Sequence, residues 1–178
     1  MKRFLIILFL MLFLCGCAPA EPPAQIAATT LPVYEFTARL CDGTGITVTR
    51  LITEEVSCLH DYSLNVRQVK AAESAELIVI SGAGLEEFME DLIHGRPVID
   101  ASTGIELLCP EEGDDHAHEH EHDGHHHESD PHIWLSPVHA ASMARNICDG
   151  LTNAYPAHAE TFARNLEALT ADLLALDT

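Results

Sequence analysis

The stretch Glu76-Leu-Ile-Val-Ile-Ser81 decides the fold, because four consecutive apolar residues are followed at once by the turn formers Gly82 and Gly84. A strand with one face in water alternates apolar and polar residues, whereas a strand covered on both faces is apolar throughout. Residues 76–81 therefore predict a buried strand of a parallel sheet with helices on both of its faces.

Weaker strand and helix signals alternate on either side of this run. Further strands are predicted from β-prone or alternating residues, and helices from apolar residues at helical spacing. The predicted strands span residues 25–30, 46–52, 76–81 and 96–100, and the predicted helices span residues 33–40, 65–75 and 85–93. In the second helix Val66, Val69 and Ala72 form the expected apolar face. Short links between alternating strands and helices favour an α/β fold with a small parallel four-stranded sheet.

Two more helices are predicted at the end of the chain. Ser136 is a good N-cap and Pro137 suits the first helical position. Tyr155-Pro156 interrupts this helix, and a second one runs from Pro156 with leucines at helical spacing. No glycine or proline stops it before Thr178, which predicts that the sequence is a fragment or has lost a partner lobe.

The first residues are typical of an export signal. Lys2 and Arg3 precede an apolar run over residues 4–14, which is too short to span a bilayer. The run ends in Leu14-Cys-Gly-Cys17, which resembles a bacterial lipobox and implies a signal peptide over 1–16 and a lipid on Cys17. An ordinary secretory signal is the alternative. Residues 17–24 then form a Pro-rich tether, and the protein is expected outside the cytoplasm, anchored to the bacterial cell membrane.

The formal net charge is −19, which argues against binding to nucleic acid, since that needs clustered Lys and Arg. Four cysteines remain beyond Cys17, without the C-x-x-C spacing of a zinc knuckle. In an exported protein they permit two disulfides. We favour Cys58 with Cys109 and Cys41 with Cys148, and four free thiols are the alternative.

Residues 110–130 are rich in histidine and acid and nearly devoid of apolar side chains, which predicts a mobile loop. Imidazole binds zinc, copper and nickel, so the loop is expected to offer several weak accessory metal sites rather than one fixed site. The histidines are His116, His118, His120, His122, His125, His126 and His127.

Two histidines outside this loop have a different setting. His60 follows the second predicted strand, and His132 precedes the helix that Ser136 caps. Ligands of open α/β sheets gather at the carboxyl ends of strands. If His60 and His132 share one zinc, their ring nitrogens should lie roughly 3–5 Å apart, given zinc–nitrogen bonds of about 2.0–2.1 Å. Glu86 and Asp61 are expected to fix loops, and Trp134 is expected to pack behind His132.

Five ordered motifs resemble the zinc and manganese solute-binding proteins of ABC importers, from about residue 29 to the end of the chain. They are Thr30-Leu-Pro32, His60-Asp-Tyr-Ser-Leu64, Ser81-Gly-Ala-Gly-Leu-Glu86, Val98-Ile-Asp-Ala-Ser102 and Asp130-Pro-His-Ile-Trp-Leu-Ser-Pro137. A histidine-rich loop before the second histidine is common in the zinc branch.

The resemblance implies two α/β lobes joined by a long helix, with the metal in the cleft between them. His60 and His132 match the two histidines of the N-terminal lobe, which would span residues 25–155 here. Residues 156–178 match the start of the connecting helix, and the C-terminal lobe, with a third and often an acidic fourth ligand, is absent. The implied partner is the membrane permease of an ABC transporter.

Capture of Zn²⁺ for import is thus the favoured function. Manganese is the alternative cargo, although it favours oxygen ligands. A metal-sequestering or adhesive surface lipoprotein without a transporter is a second alternative. A zinc hydrolase is disfavoured, because the motif H-E-x-x-H and an evident general base are missing.

Overall fold

The computed structural model describes residues 25–54, 59, 62–108 and 130–176. Several predictions fall outside these residues and stay predictions. They concern the signal peptide, Cys17, the tether, Cys58, His60, Asp61, Cys109 and the seven histidines of the 110–130 segment.

The predicted four-stranded parallel sheet is confirmed. Its strands are β1 (Ile26–Ala28), β2 (Val48–Arg50), β3 (Leu77–Ile80) and β4 (Val98–Asp100), in the order β2-β1-β3-β4. Every neighbouring pair is parallel, and Ile26 is in register with both Val48 and Leu77. The apolar run of residues 76–81 thus forms an inner strand, as its composition predicts. The strands are shorter than the sequence suggests.

The described residues also form five α-helices. They are α1 (Leu31–Leu40), α2 (Val66–Ser74), α3 (Glu90–Ile93), α4 (Pro137–Ala154) and α5 (Ala159–Leu174). Short 3₁₀ turns precede α3, α4 and α5. The predicted helix over 85–93 is therefore broken in two. Inside it, Glu86 (φ −102°, ψ 29°) and Met89 (φ −126°, ψ 16°) depart from α-helical dihedral angles.

Capping residues define two of these helices. Ser136 accepts a hydrogen bond from the His139 N–H at the start of α4, with Pro137 in the first position, as predicted. Asn65 and Gln68 form a reciprocal capping box at the start of α2. Such caps satisfy backbone donors that the first turn of a helix leaves unpaired.

Each face of the sheet packs against helices, because alternate residues of a strand point to opposite sides. Leu77 and Val79 belong to the main core, which they form with α1, α4 and α5. Ile78 belongs to a second core, called here the α2-side core, which it forms with residues of α2. Gly150 of α4 lies against Ile99 of β4 so closely that an added Cβ would be 2.5 Å from its Cγ1. Among the described residues, no helix combines the length and apolar character needed to cross a membrane.

The expected bridge between Cys41 and Cys148 is wrong. Both are buried free thiols in the core that α1 and α4 share. Desolvation by this burial raises the pKa of Cys41 to about 12 and also raises the pKa of Cys148. The two side chains fill apolar space as small hydrophobic groups do. The proposed partners Cys58 and Cys109 lie outside the described residues.

Candidate metal centre

His132 caps the 3₁₀ turn Ile133–Leu135, which leads directly into α4. Ile133 is buried and anchors this turn in the main core, while about half of the His132 side chain stays exposed. The sequence places a fixed apolar residue next to an accessible imidazole. The imidazole is therefore held on a rigid support but remains open to a ligand.

Asp130 orients the His132 ring through two hydrogen bonds. Its Oδ1 accepts from the His132 backbone N–H at 2.9 Å and lies 2.7 Å from Nδ1. The backbone hydrogen bond, followed by the side-chain one, lowers the pKa of Asp130. An ionised carboxylate can only accept, so Nδ1 carries the ring proton. In the neutral ring the lone pair is then on Nε2, the atom that a metal would bind.

Trp134 packs against His132, as expected from the sequence. The ring centroids are 5.2 Å apart and the planes are inclined by 60°. Trp134 is the single tryptophan of the chain. Its fluorescence can therefore report on metal bound at or near His132.

The His132 side chain lines a cavity of about 400 Å³. The cavity is lined by Leu108, Asp130, His132, Ile133, Leu135, Ser136 and His139. His139, which lies in the first turn of α4, is a second imidazole on the same cavity. No group of three or more His, Cys, Asp or Glu side chains suited to a metal occurs among the described residues. A metal bound to His132 would therefore take its other ligands from outside these residues.

The strand order places the switch point of the sheet between β1 and β3, because connections from there run to opposite edges. His60 follows β2 and His132 follows β4 in the sequence, and these strands are the two edges. Three strand spacings separate them by about 14 Å. Their links leave the sheet at the same end, so a shared metal requires both links to lean inward over the switch point.

Buried hydrogen bonds connect the carboxyl ends of β1 and β3 at this switch point. Glu86 Oε1 accepts from the Thr29 hydroxyl at 2.6 Å and from the Ser81 N–H at 2.7 Å, and Oε2 accepts from the Gly82 N–H at 2.9 Å. Thr30 and Ser81 join their hydroxyls at 2.8 Å. The Glu86 side chain thus ties the ends of β1 and β3 together, in line with its expected loop-fixing role.

Burial of Glu86, which is 4% exposed, raises the pKa of its carboxyl above the ordinary value, although the three donors act in the opposite direction. Both of its oxygens already have protein partners. Glu86 is therefore occupied as a structural acceptor and has no free oxygen aimed at a metal.

Sequence reasoning missed two features of this region. It did not assign Asp130 as the partner of His132, although a carboxylate two residues before a histidine is a usable signal. It also missed the network around Gln68, which lies on α2 beside the link that contains His60. That network has no local sequence signal, because its members come from residues 51, 54, 62 and 68.

Comparisons with known proteins agree on one family. The family model described as zinc-uptake complex component A, periplasmic, matches residues 26–178. The zinc-binding lipoprotein AdcA of Streptococcus pneumoniae is 35% identical over 177 residues, covering 93% of this chain and 34% of that protein. The iron-binding protein YfeA of Yersinia pestis is 32% identical and covers 84% of this chain and 45% of that protein.

Solved structures give the same result. The crystal structure of Zn(II)-bound AdcA from Streptococcus pneumoniae superposes with a TM-score of 0.67 at 33% identity, covering 85% of this chain and 31% of that one. The chain thus spans about a third of the length of the AdcA proteins that it matches.

Proposed function

Because this chain belongs to the family of the periplasmic zinc-uptake component A, we propose that it captures Zn²⁺ outside the cytoplasm and delivers it to an ABC importer. The observation that carries the proposal is His132, whose Nδ1 is hydrogen-bonded to Asp130 and whose Nε2 has no hydrogen-bond partner among the described residues. Neutral imidazole nitrogen is a preferred zinc ligand at about 2.0–2.1 Å.

His60 is the second proposed ligand from this chain. It stands one residue after Leu59, which packs in the α2-side core, and two residues before Tyr62. Two imidazoles fill half of a tetrahedral shell. The remaining ligands would come from a second lobe, as the resemblance implies, with residues 156–178 forming the start of the helix between the lobes. A site shared by two lobes can open, which allows release of the ion to a transporter.

The histidines of residues 110–130 are proposed as accessory sites. The residues at the two ends of this segment lie next to the candidate centre. The Asp130 N–H donates to the Leu108 carbonyl at 3.0 Å, and both residues line the His132 cavity. Metal held weakly on this segment would be concentrated near His132. Zinc is favoured over manganese as cargo because the proposed ligands of this chain are imidazoles.

Anchoring and delivery complete the proposal. A diacylglyceryl group on Cys17 would hold the protein at the outer surface of the bacterial cell membrane, and acyl chains contribute about 0.8 kcal/mol per buried methylene. The permease of the ABC transporter would be the partner that receives the ion. We infer no catalytic activity, since a carrier binds and releases its cargo unchanged.

A metal titration read through Trp134 tests the proposal. Co²⁺ quenches a nearby indole, so we expect Co²⁺ to quench Trp134 and Zn²⁺ to restore the emission by competition. His132→Ala should abolish the tightest phase of the quenching and leave only the weak phase from the accessory histidines, whereas His94→Ala, on an exposed residue at the end of α3, should leave both unchanged. A tightest phase of unchanged affinity in His132→Ala would place the metal elsewhere and reject this centre.

A further inference from the structure

Gln68 is a buried amide with unusually many polar contacts. Its side chain is 2% exposed. Oε1 accepts from the Asn65 N–H at 2.8 Å, while Nε2 lies 3.0 Å from the Leu51 carbonyl, 3.0 Å from Glu54 Oε2 and 2.7 Å from the Tyr62 hydroxyl. Burying an amide is unfavourable unless its polar atoms are paired. Only Oε1 serves the capping box of α2, so the contacts of Nε2 need another explanation.

The contacts of Nε2 join the two sides of the link that contains His60. Glu54 stands directly before residues 55–61, and Tyr62 stands directly after them. The Tyr62 hydroxyl also donates to Glu54 Oε2 at 3.0 Å. A seven-residue segment therefore begins and ends at side chains that meet on one buried amide.

Tyr62 is fixed by further contacts. Its backbone N–H donates to the Leu59 carbonyl at 3.0 Å, and its ring meets the ring of Phe88 edge-on, with centroids 5.4 Å apart. His60 lies between Leu59 and Tyr62 in the sequence, so the residues on both sides of it are attached to the α2-side core. Tyr62 contacts both Gln68 and Phe88, and Glu54, on the other side of the link, contacts Gln68 as well.

We propose that Gln68 is a positioning residue for zinc binding, which holds the flanks of the His60 link in place before the metal arrives. The proposal rests on the proposed function, because it assumes that His60 is a ligand. A metal ligand that is not already in place loses conformational freedom when it binds the ion. Contacts that fix the residues flanking a ligand beforehand remove part of that loss, as outer partners of metal ligands do elsewhere.

The test uses Gln68→Met in the full chain, because Met is similar in length but can make none of the hydrogen bonds of the amide. We expect zinc affinity, measured by Co²⁺ quenching of Trp134 and Zn²⁺ competition, to fall about tenfold, the lower end of the range for outer partners. Zinc should also dissociate faster. Tyr62→Phe, which removes only the hydroxyl, should act in the same direction and more weakly.

Asn165→Ala is the control for general destabilisation. Asn165 Nδ2 donates to the Leu40 and Asp42 carbonyls at the end of α1, far from α2 in the sequence and on the other core. Thermal unfolding without metal measures the stability of each variant. If Gln68→Met changes zinc affinity no more than Asn165→Ala does, the positioning role is wrong. Should Gln68→Met fail to fold, Tyr62→Phe takes its place under the same criterion.

A double-mutant cycle separates this proposal from the proposed function. In a His60→Ala background, Gln68→Met should have no further effect on the residual affinity. An equal effect in both backgrounds would show that Gln68 does not act through His60 and would overturn the proposal. If His60→Ala and His132→Ala themselves leave the tightest site unchanged, the proposed function fails instead.

Discussion

The orientation of His132 by Asp130 leads to a quantitative prediction. Asp130→Ala removes the acceptor of two hydrogen bonds, from the His132 backbone N–H and from Nδ1. The ring would then rotate freely and could take the tautomer with the proton on Nε2. Loss of such an outer partner typically weakens metal binding 10–100-fold. Because the side chains of both residues are about half exposed and water can replace the lost acceptor, we expect a change near tenfold.

Asp130→Asn is the matched variant for this prediction. An amide oxygen can still accept from both groups, so the orientation of His132 should survive and zinc affinity should fall less than in Asp130→Ala. Zinc competition against Co²⁺, followed by the emission of Trp134, measures all three proteins. Equal affinities for wild type and Asp130→Ala, while His132→Ala abolishes binding, would refute the orienting role of Asp130.

Four further predictions concern stability and reactivity. In Glu86→Gln the new NH₂ group faces at least one of the groups that donate to Glu86, namely the Thr29 hydroxyl and the N–H groups of Ser81 and Gly82. Two donors cannot pair, so we expect the free energy of unfolding in urea to fall by about 1–3 kcal/mol. Because burial raises the pKa of folded Glu86, its stabilising contribution is fully present below the unfolded value near 4.5 and falls as pH rises through the folded value. Wild type should therefore lose stability relative to Glu86→Gln as pH rises through that range, and a constant difference would contradict this assignment. Native Cys41, with a pKa of about 12, should have roughly 10⁻⁴ of its thiol ionised at pH 8 and resist iodoacetamide until urea unfolds the protein, as mass spectrometry can measure. Gly150→Ala forces a Cβ against Ile99 and should cost about 1–2 kcal/mol, the overpacking penalty less the higher helix propensity of Ala; an unchanged urea midpoint would mean that Ile99 moves aside freely.

Much of the fold could be predicted from the sequence because its signals are local. The apolar run of residues 76–81 contains its own evidence of burial on both faces, and Ser136-Pro137 marks the start of α4 without help from distant residues. The motif around His132 likewise combines a histidine, a neighbouring acid and an apolar anchor within a few residues. Such features depend on backbone geometry and composition, which neighbouring residues are sufficient to determine.

Helical spacing mispredicted the buried face of α2, because a polar residue of that helix is buried among hydrogen-bond partners. The pattern predicted that Val66 faces the core, but Val66 is 72% exposed and Gln68 is buried in its place. Hydropathy treats glutamine as a surface residue, since it does not include the acceptors that Leu51, Glu54 and Tyr62 supply. Only the folded arrangement brings these residues together and offsets the cost of burying the amide.

The sequence by itself determined the class of fold, the four strands, the capped start of α4 and the identity of the metal-binding candidates, because each is written in a short stretch of chain. The tertiary structure decided the strand order β2-β1-β3-β4, the free thiols of Cys41 and Cys148 and the carboxylate that faces Nδ1 of His132. Strand order depends on which edges pair, thiol chemistry on burial, and a tautomer on the acceptor at hydrogen-bond distance. These are relations between atoms in space, and several of them join residues that are far apart in the chain.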